Sequence, residues 1–208
     1  MHVVFDMDGV LLDSESDLAW LDRALRATLE AFDIEPTEER KVLLFPANLR
    51  EFQRAAAEFG IPDQELWETR HEFYTREKIG AIESGEIGPF EDVDALHDLD
   101  PTHPLSIISN SPQNVVDAFV TSNGLEGLFE HRVGRGNDME SLEQLKPDPH
   151  MYEILDGRTE GNDYLYVGDT DSDAEFARET DMDFLHLDRT NGPIATLHEV
   201  IERISARQ

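Results

Sequence analysis

Cysteine is absent from the 208 residues, which excludes disulfides and thiolate metal sites and weighs against cysteine-dependent catalysis. No run approaches the roughly 18 consecutive apolar residues of a membrane-spanning helix. No charged segment followed by an apolar stretch opens the chain, so neither a transmembrane helix nor a signal peptide is expected, and a cytoplasmic location is the default. Lysine is nearly absent, with only Lys41, Lys78 and Lys146. The 17 basic residues face 46 acidic ones, for a net charge of −29. Such a field repels nucleic acid and anionic membranes and argues against both as partners.

The acids are spread along the chain instead of forming one block, so an acidic tail does not account for them. The pattern is that of the acidic, lysine-poor surfaces of halophilic proteins, and stability is expected to rise with salt as screening relieves self-repulsion. With 39% hydrophobic residues the chain is globular, and its length allows one domain plus a subdomain.

From about Glu15 to Ser84 the apolar residues recur at helical spacing: Leu18, Leu21, Leu25 and Leu29, then Phe52, Ala56 and Phe59, then Leu66, Phe73 and Tyr74. Breaks near Asp33 to Thr37, at Pro46 and at Gly60-Ile-Pro62 divide this stretch into about four helices, with Gly80 to Pro89 as a return linker. Around it the pattern alternates. Strands are expected at residues 2–5, at Leu105–Ile108, near His131–Val133, and at Tyr164–Val167 and Phe184–Leu187. Helices are expected at about Asp92–Leu99, from Gln113 to about Asn123, from Pro149 through Leu155, up to Thr180, and from Ile194 to Arg207. The implied fold is α/β: a doubly wound, Rossmann-like parallel sheet core with an inserted helical subdomain.

The first strand ends in Asp6-Met-Asp8-Gly9, which delivers two carboxylates to the sheet edge where α/β folds place their ligands. One can attack an electrophile or hold a cation while the other handles a proton; an acidic turn is the alternative. The second strand ends in Ser109 and Asn110, the fourth in Asp169, Asp171 and Asp173. Carboxylates gathered in this way require a cation, and oxygen-only ligands point to Mg²⁺. Asp171 or Ser172 can instead simply cap the following helix. Lys146 gains weight because the chain has otherwise nearly excluded lysine.

Taken together, Asp6-Met-Asp8-Gly-Val10, Ser109 after an apolar strand, Lys146 in Lys-Pro-Asp-Pro149, and Gly168-Asp169 followed by Asp173 resemble the four motifs of the haloacid dehalogenase superfamily. The resemblance spans essentially the whole chain. The helical insertion after the first motif is similar to the cap of the subgroup that contains phosphoglycolate phosphatases and β-phosphoglucomutase. It implies a core of residues 1–14 and 86–208 with a helical cap at 15–85, and a Mg²⁺-dependent phosphatase acting on a small phosphorylated metabolite through an aspartyl-phosphate. Asp6 would be the nucleophile and Asp8 the general acid and base. Ser109, the Asn110 amide and Lys146 would bind the phosphoryl group, and Asp6, the Asp8 carbonyl, Asp169 and Asp173 would form the metal site. A mutase would use the same intermediate but pass it to another hydroxyl. A dehalogenase would not need Asp8 as its acid, and a non-catalytic interaction protein would use none of these groups.

Other residues read as ordinary. His71, His97, His103, His150 and His198 show no ligand spacing and are expected on the surface. Gly134-Arg-Gly136 lacks the context of a dinucleotide fingerprint. Arg50 is either a cap residue reaching toward an anionic substrate or, more simply, a surface ion pair with a nearby Glu.

Overall fold

A computed structural model describes residues 1–99, 102–161 and 163–206; Pro101 and Arg207 lie outside them. The opening Val-Val-Phe run forms β1 (His2–Phe5), every residue of which is buried. A strand buried on both faces belongs in the middle of a parallel sheet, and β1 occupies that place. It pairs in parallel with β4 (Leu105–Pro112) on one side and β6 (Tyr164–Gly168) on the other, so that Val4 lies between Ser106 and Tyr166. With β5 (His131–Arg135) and β7 (Asp183–His186) the order is β5-β4-β1-β6-β7, and the chain direction of assembly reverses at β1. Side-chain alternation sends Val3 and Phe5 into one apolar layer and Val4 into the other. Burying side chains of this size contributes roughly 1.5–3 kcal/mol each.

The linking helices are α5 (Gln113–Ser122), α6 (His150–Asp156), α7 (Asp171–Glu179) and α8 (Leu197–Ser205). The helix expected at Asp92–Leu99 is a 3₁₀ segment, Val93–Asp98. Asp92 does not cap it by side chain. Its carboxylate instead pairs with Arg189 and accepts a hydrogen bond from the Leu197 amide at the start of α8.

Between two short strands, β2 (Leu12–Asp13) and β3 (Gly88–Pro89), lie α1 (Ala19–Glu30), α2 (Glu38–Leu43), α3 (Leu49–Phe59) and α4 (Asp63–Ser84). Thr37 and Asn48 cap α2 and α3 through their side-chain oxygens. The expected return linker begins too early, because α4 continues through Gly80 and stops at Gly85, which adopts φ 75°. Burial of Ala81 and Ile82 outweighs the helix penalty of Gly80, while a left-handed residue closes the helix most easily as glycine. The β2–β3 pairing, Leu12 with Pro89 and Asp13 with Gly88, had no signal in so short a segment. No helix among the described residues is long and apolar enough to cross a membrane.

Candidate active site

Parallel strands bring their C-terminal ends to one edge, and β1, β4 and β6 bring Asp6, Ser109 and Asp169 there together. Asp6 follows β1 directly and is buried; its Oδ1 accepts the Met7 amide, and its Oδ2 lies 2.9 Å from Lys146 Nζ. Carboxylate oxygens of Asp6, Asp169 and Asp173 lie within 4.8 Å of one another. Asp171 is exposed at the first position of α7 and stays out of this cluster.

The cap of α7 is Thr170, not Asp171 or Ser172. Its hydroxyl accepts the Asp173 amide, while Asp173 Oδ2 accepts the Thr170 amide, a reciprocal box that leaves Asp171 free to face solvent. Ser172 donates to the Lys146 carbonyl and ties the lysine loop to the helix. Asp173 Oδ1 sits 2.6 Å from Lys146 Nζ and also accepts from the Tyr166 hydroxyl. One ammonium thus serves two buried carboxylates. The Asn110 side chain accepts the Lys146 amide at 2.8 Å, fixing the same loop from the β4 side.

Ser109 is buried within β4, not in a turn after it. Its hydroxyl accepts the Ser111 amide, and the strand carries a register shift between Ser109 and Pro112. Gly9, at φ 75°, turns the chain after Asp8; a Cβ there would come within 2.2 Å of Asp169 Oδ2, so only glycine fits beside that carboxylate.

Asp8 faces away from the carboxylate cluster. Its oxygens accept from Lys78 Nζ at 2.6 Å, Ser14 Oγ at 2.7 Å and Ser111 Oγ at 2.7 Å. Burial pushes the Asp8 carboxyl up, but the Lys78 ammonium and the two hydroxyls outweigh it and hold it below the ordinary range. Asp6 is the reverse case: burial raises it to about 8, beyond what Lys146 offsets, with Asp173 and Asp8 adding repulsion. Burial and the neighbouring Asp173 raise Asp169 to about 6. Asp169 Oδ1 is buried without a hydrogen-bond partner among the described residues. An orphaned carboxylate oxygen beside two further carboxylates suits a hard divalent cation, and the all-oxygen donor set fits Mg²⁺.

The sequence profile of the haloacid dehalogenase-like hydrolases matches residues 3–187. The chain belongs to that family. Three solved structures show how widely this hydrolase shares its fold. A Lactobacillus delbrueckii protein assigned as a phosphoglycolate phosphatase is 22% identical, with 98% of this chain and 97% of that one covered at a TM-score of 0.67. A Thermotoga maritima protein assigned as a β-phosphoglucomutase is 18% identical, fully covered on both sides, at 0.66. A magnesium-bound hydrolase of the same superfamily from Bacillus subtilis is 17% identical, with 98% of each chain covered, at 0.67. No curated protein sequence matches the chain significantly.

Several groups in this hydrolase's site escaped the sequence reading. Lys78 comes from α4, 70 residues from Asp8, yet its rarity in this chain was the same signal that singled out Lys146. Ser14, Ser111 and Tyr166 carried no signal beyond their neighbours. Arg135, set aside within Gly134-Arg-Gly136, is buried and lines the cavity above Asp8. Arg50 is exposed on α3 and does not line that cavity. His71 is half-buried against Trp67, and burial lowers it to about 4, so it is not a plain surface histidine.

Proposed function

We propose that this hydrolase is a Mg²⁺-dependent phosphatase of small phosphorylated metabolites, working through an aspartyl-phosphate on Asp6. The observation that carries this reading is the placement of Asp6 at the end of β1, 2.9 Å from Lys146 Nζ and beside the Asp169 and Asp173 carboxylates. Phosphoryl transfer needs positioning and charge neutralisation more than covalent machinery, and these groups supply both. When bound, Mg²⁺ would neutralise phosphoryl charge and keep Asp6 ionised. Asp6, Asp169 and the Asp8 carbonyl would hold it, with Asp173 completing the acidic set while it anchors Lys146. Ser109, the Asn110 amide and Lys146 would bind the phosphoryl oxygens.

Asp6 attacks phosphorus, and Asp8 gives the leaving alcohol its proton. The Asp8 carboxylate is held ionised at rest; the negative charge of an arriving phosphoryl group raises its pKa, and Asp8 takes up a proton from solvent before the leaving alcohol departs. After transfer, the ionised Asp8 takes a proton from the water that hydrolyses the intermediate. Residues 15–85 act as the cap that excludes bulk water over a core of 1–14 and 86–208. Incubation with phosphorylated metabolites and Mg²⁺ is expected to release inorganic phosphate, and EDTA to stop it. Transfer to a second hydroxyl of a sugar phosphate without phosphate release would make the protein a mutase.

The cation site also has a stability signature. Carboxyls raised from 3.8 to about 8 (Asp6) and about 6 (Asp169) stabilise the fold fully below their ordinary range, and that contribution is lost as pH climbs through their raised values. At fixed ionic strength in EDTA, Tm should therefore fall as pH rises through this window. Mg²⁺ should raise Tm more at about pH 8 than at about pH 5.5, because cation binding requires the ionised forms. Asp169→Asn should remove most of that pH-dependent gain; an unchanged gain would take Asp169 out of the metal site.

A further inference from the structure

A cavity of about 290 Å³ opens from Asp8 into the space between α1, α4 and the sheet edge. Its composition is at odds with the rest of the molecule. In a chain of net charge −29, it is lined by three buried cations, Lys78, Arg70 and Arg135, which are 2%, 6% and 5% exposed. Lys78 has a carboxylate partner in Asp8. The two arginines have none within ion-pairing distance among the described residues.

Arg70 donates through Nε to the Leu44 carbonyl, and its two terminal nitrogens donate to nothing among the described residues. Arg135 donates to the carbonyls of Asn110 and Gly136 and to the Ser141 hydroxyl, leaving Nη2 without an acceptor among them. Both guanidiniums face one indole, at 5.8 Å and 5.1 Å from the Trp67 ring, so they share one end of the cavity. Burial pulls Arg70 down to about 10, and the like charge of Arg135 adds to it. Two adjacent buried cations without a counter-ion are costly, and aromatic faces compensate such a charge only partly. With 46 acidic residues available, a structural guanidinium would readily have been given a carboxylate.

We propose that Arg70 and Arg135 bind a second oxyanion, carboxylate or phosphoryl, carried on the same substrate as the phosphomonoester. This rests on the phosphatase reading and narrows its substrate class. The forked guanidinium matches either oxyanion in a bidentate way. The spacing follows from α4, which presents Trp67, Arg70, Tyr74 and Lys78 on successive turns. Lys78 stands at the Asp8 end and Arg70 eight residues before it, an offset of about 12 Å along the helix. A spacer therefore separates the two anionic groups of the substrate, and Trp20, Leu21 and Leu142 give that spacer an apolar wall.

The test compares alkyl phosphates with carboxyalkyl phosphates and alkane bisphosphates of matched, increasing length. Wild-type kcat/KM should favour a doubly anionic series over the neutral one, most strongly at the longer spacers. The better of the two series identifies the second group. Arg70→Met should lower that preference by about 10- to 100-fold, chiefly through KM. If alkyl phosphates are hydrolysed but no doubly anionic series is preferred at any length, the second site is wrong while the phosphatase reading stands. If no series releases phosphate, both fall. The wild-type comparison needs no variant; a preference unchanged in Arg70→Met and Arg135→Met would make the arginines structural.

Discussion

Asp6→Asn is expected to lower hydrolysis of a generic aryl phosphate by roughly 10⁴-fold or more, because an amide oxygen cannot form the covalent intermediate on which both half-reactions depend. The same variant should not lose stability. Asp6 is a buried carboxyl pushed up to about 8 in the company of Asp173 and Asp8, and a neutral amide of nearly the same shape removes that repulsion. A Tm equal to or above that of the parent, together with lost turnover, separates chemistry from folding. Turnover near the parent rate would dismiss Asp6 as nucleophile.

Lys146→Met should do the opposite to the fold. The ammonium lies 2.9 Å from Asp6 and 2.6 Å from Asp173 and also touches the Tyr166 hydroxyl; removing it strands the buried Asp173 carboxylate, while Asp6, already raised to about 8, goes neutral. Breaking a buried pair from one side costs about 3–5 kcal/mol. For a chain of this length that corresponds to a fall in Tm of roughly 6–20 °C, measured in EDTA. Asp173→Asn added to Lys146→Met should restore part of the loss by removing the stranded charge. If the double variant is less stable than the single, charge stranding is not the cause. Activity should fall in Lys146→Met as well, since the phosphoryl group would lose a cation beside the nucleophile.

The strands and the residues at their ends were readable because each reports locally: Val-Val-Phe before Asp6, and Tyr164-Leu-Tyr-Val before Gly168-Asp169. The alternation of strands and helices then required those ends to share an edge, which is how Asp6, Ser109 and Asp169 come together. What failed was of two kinds. Boundaries shifted where tertiary burial overrode a local preference, as at Gly80 inside α4 and at Ser109 inside β4. The cavity was hidden because its walls come from distant segments whose local signals are bland. Arg70, Tyr74 and Lys78 lie on a helix that packs against α1 and α5 while lining the cavity, so polar and apolar residues do not separate into two faces. Arg135 sat between glycines that invited comparison with a different motif. Lys78 alone was within reach, through its rarity.

That rarity has a practical side. All three lysines are buried, Lys41 against Asp22 and Glu38, Lys78 against Asp8, and Lys146 against Asp6 and Asp173. The exterior therefore carries its positive charge as guanidinium, and the remaining amine is the N-terminal one beside Asp163. An acylating reagent therefore meets almost no exposed lysine amine. Lys78, 2% exposed and held against Asp8, is expected to be acylated far more slowly than the N-terminal amine, and peptide mapping after brief treatment checks that order.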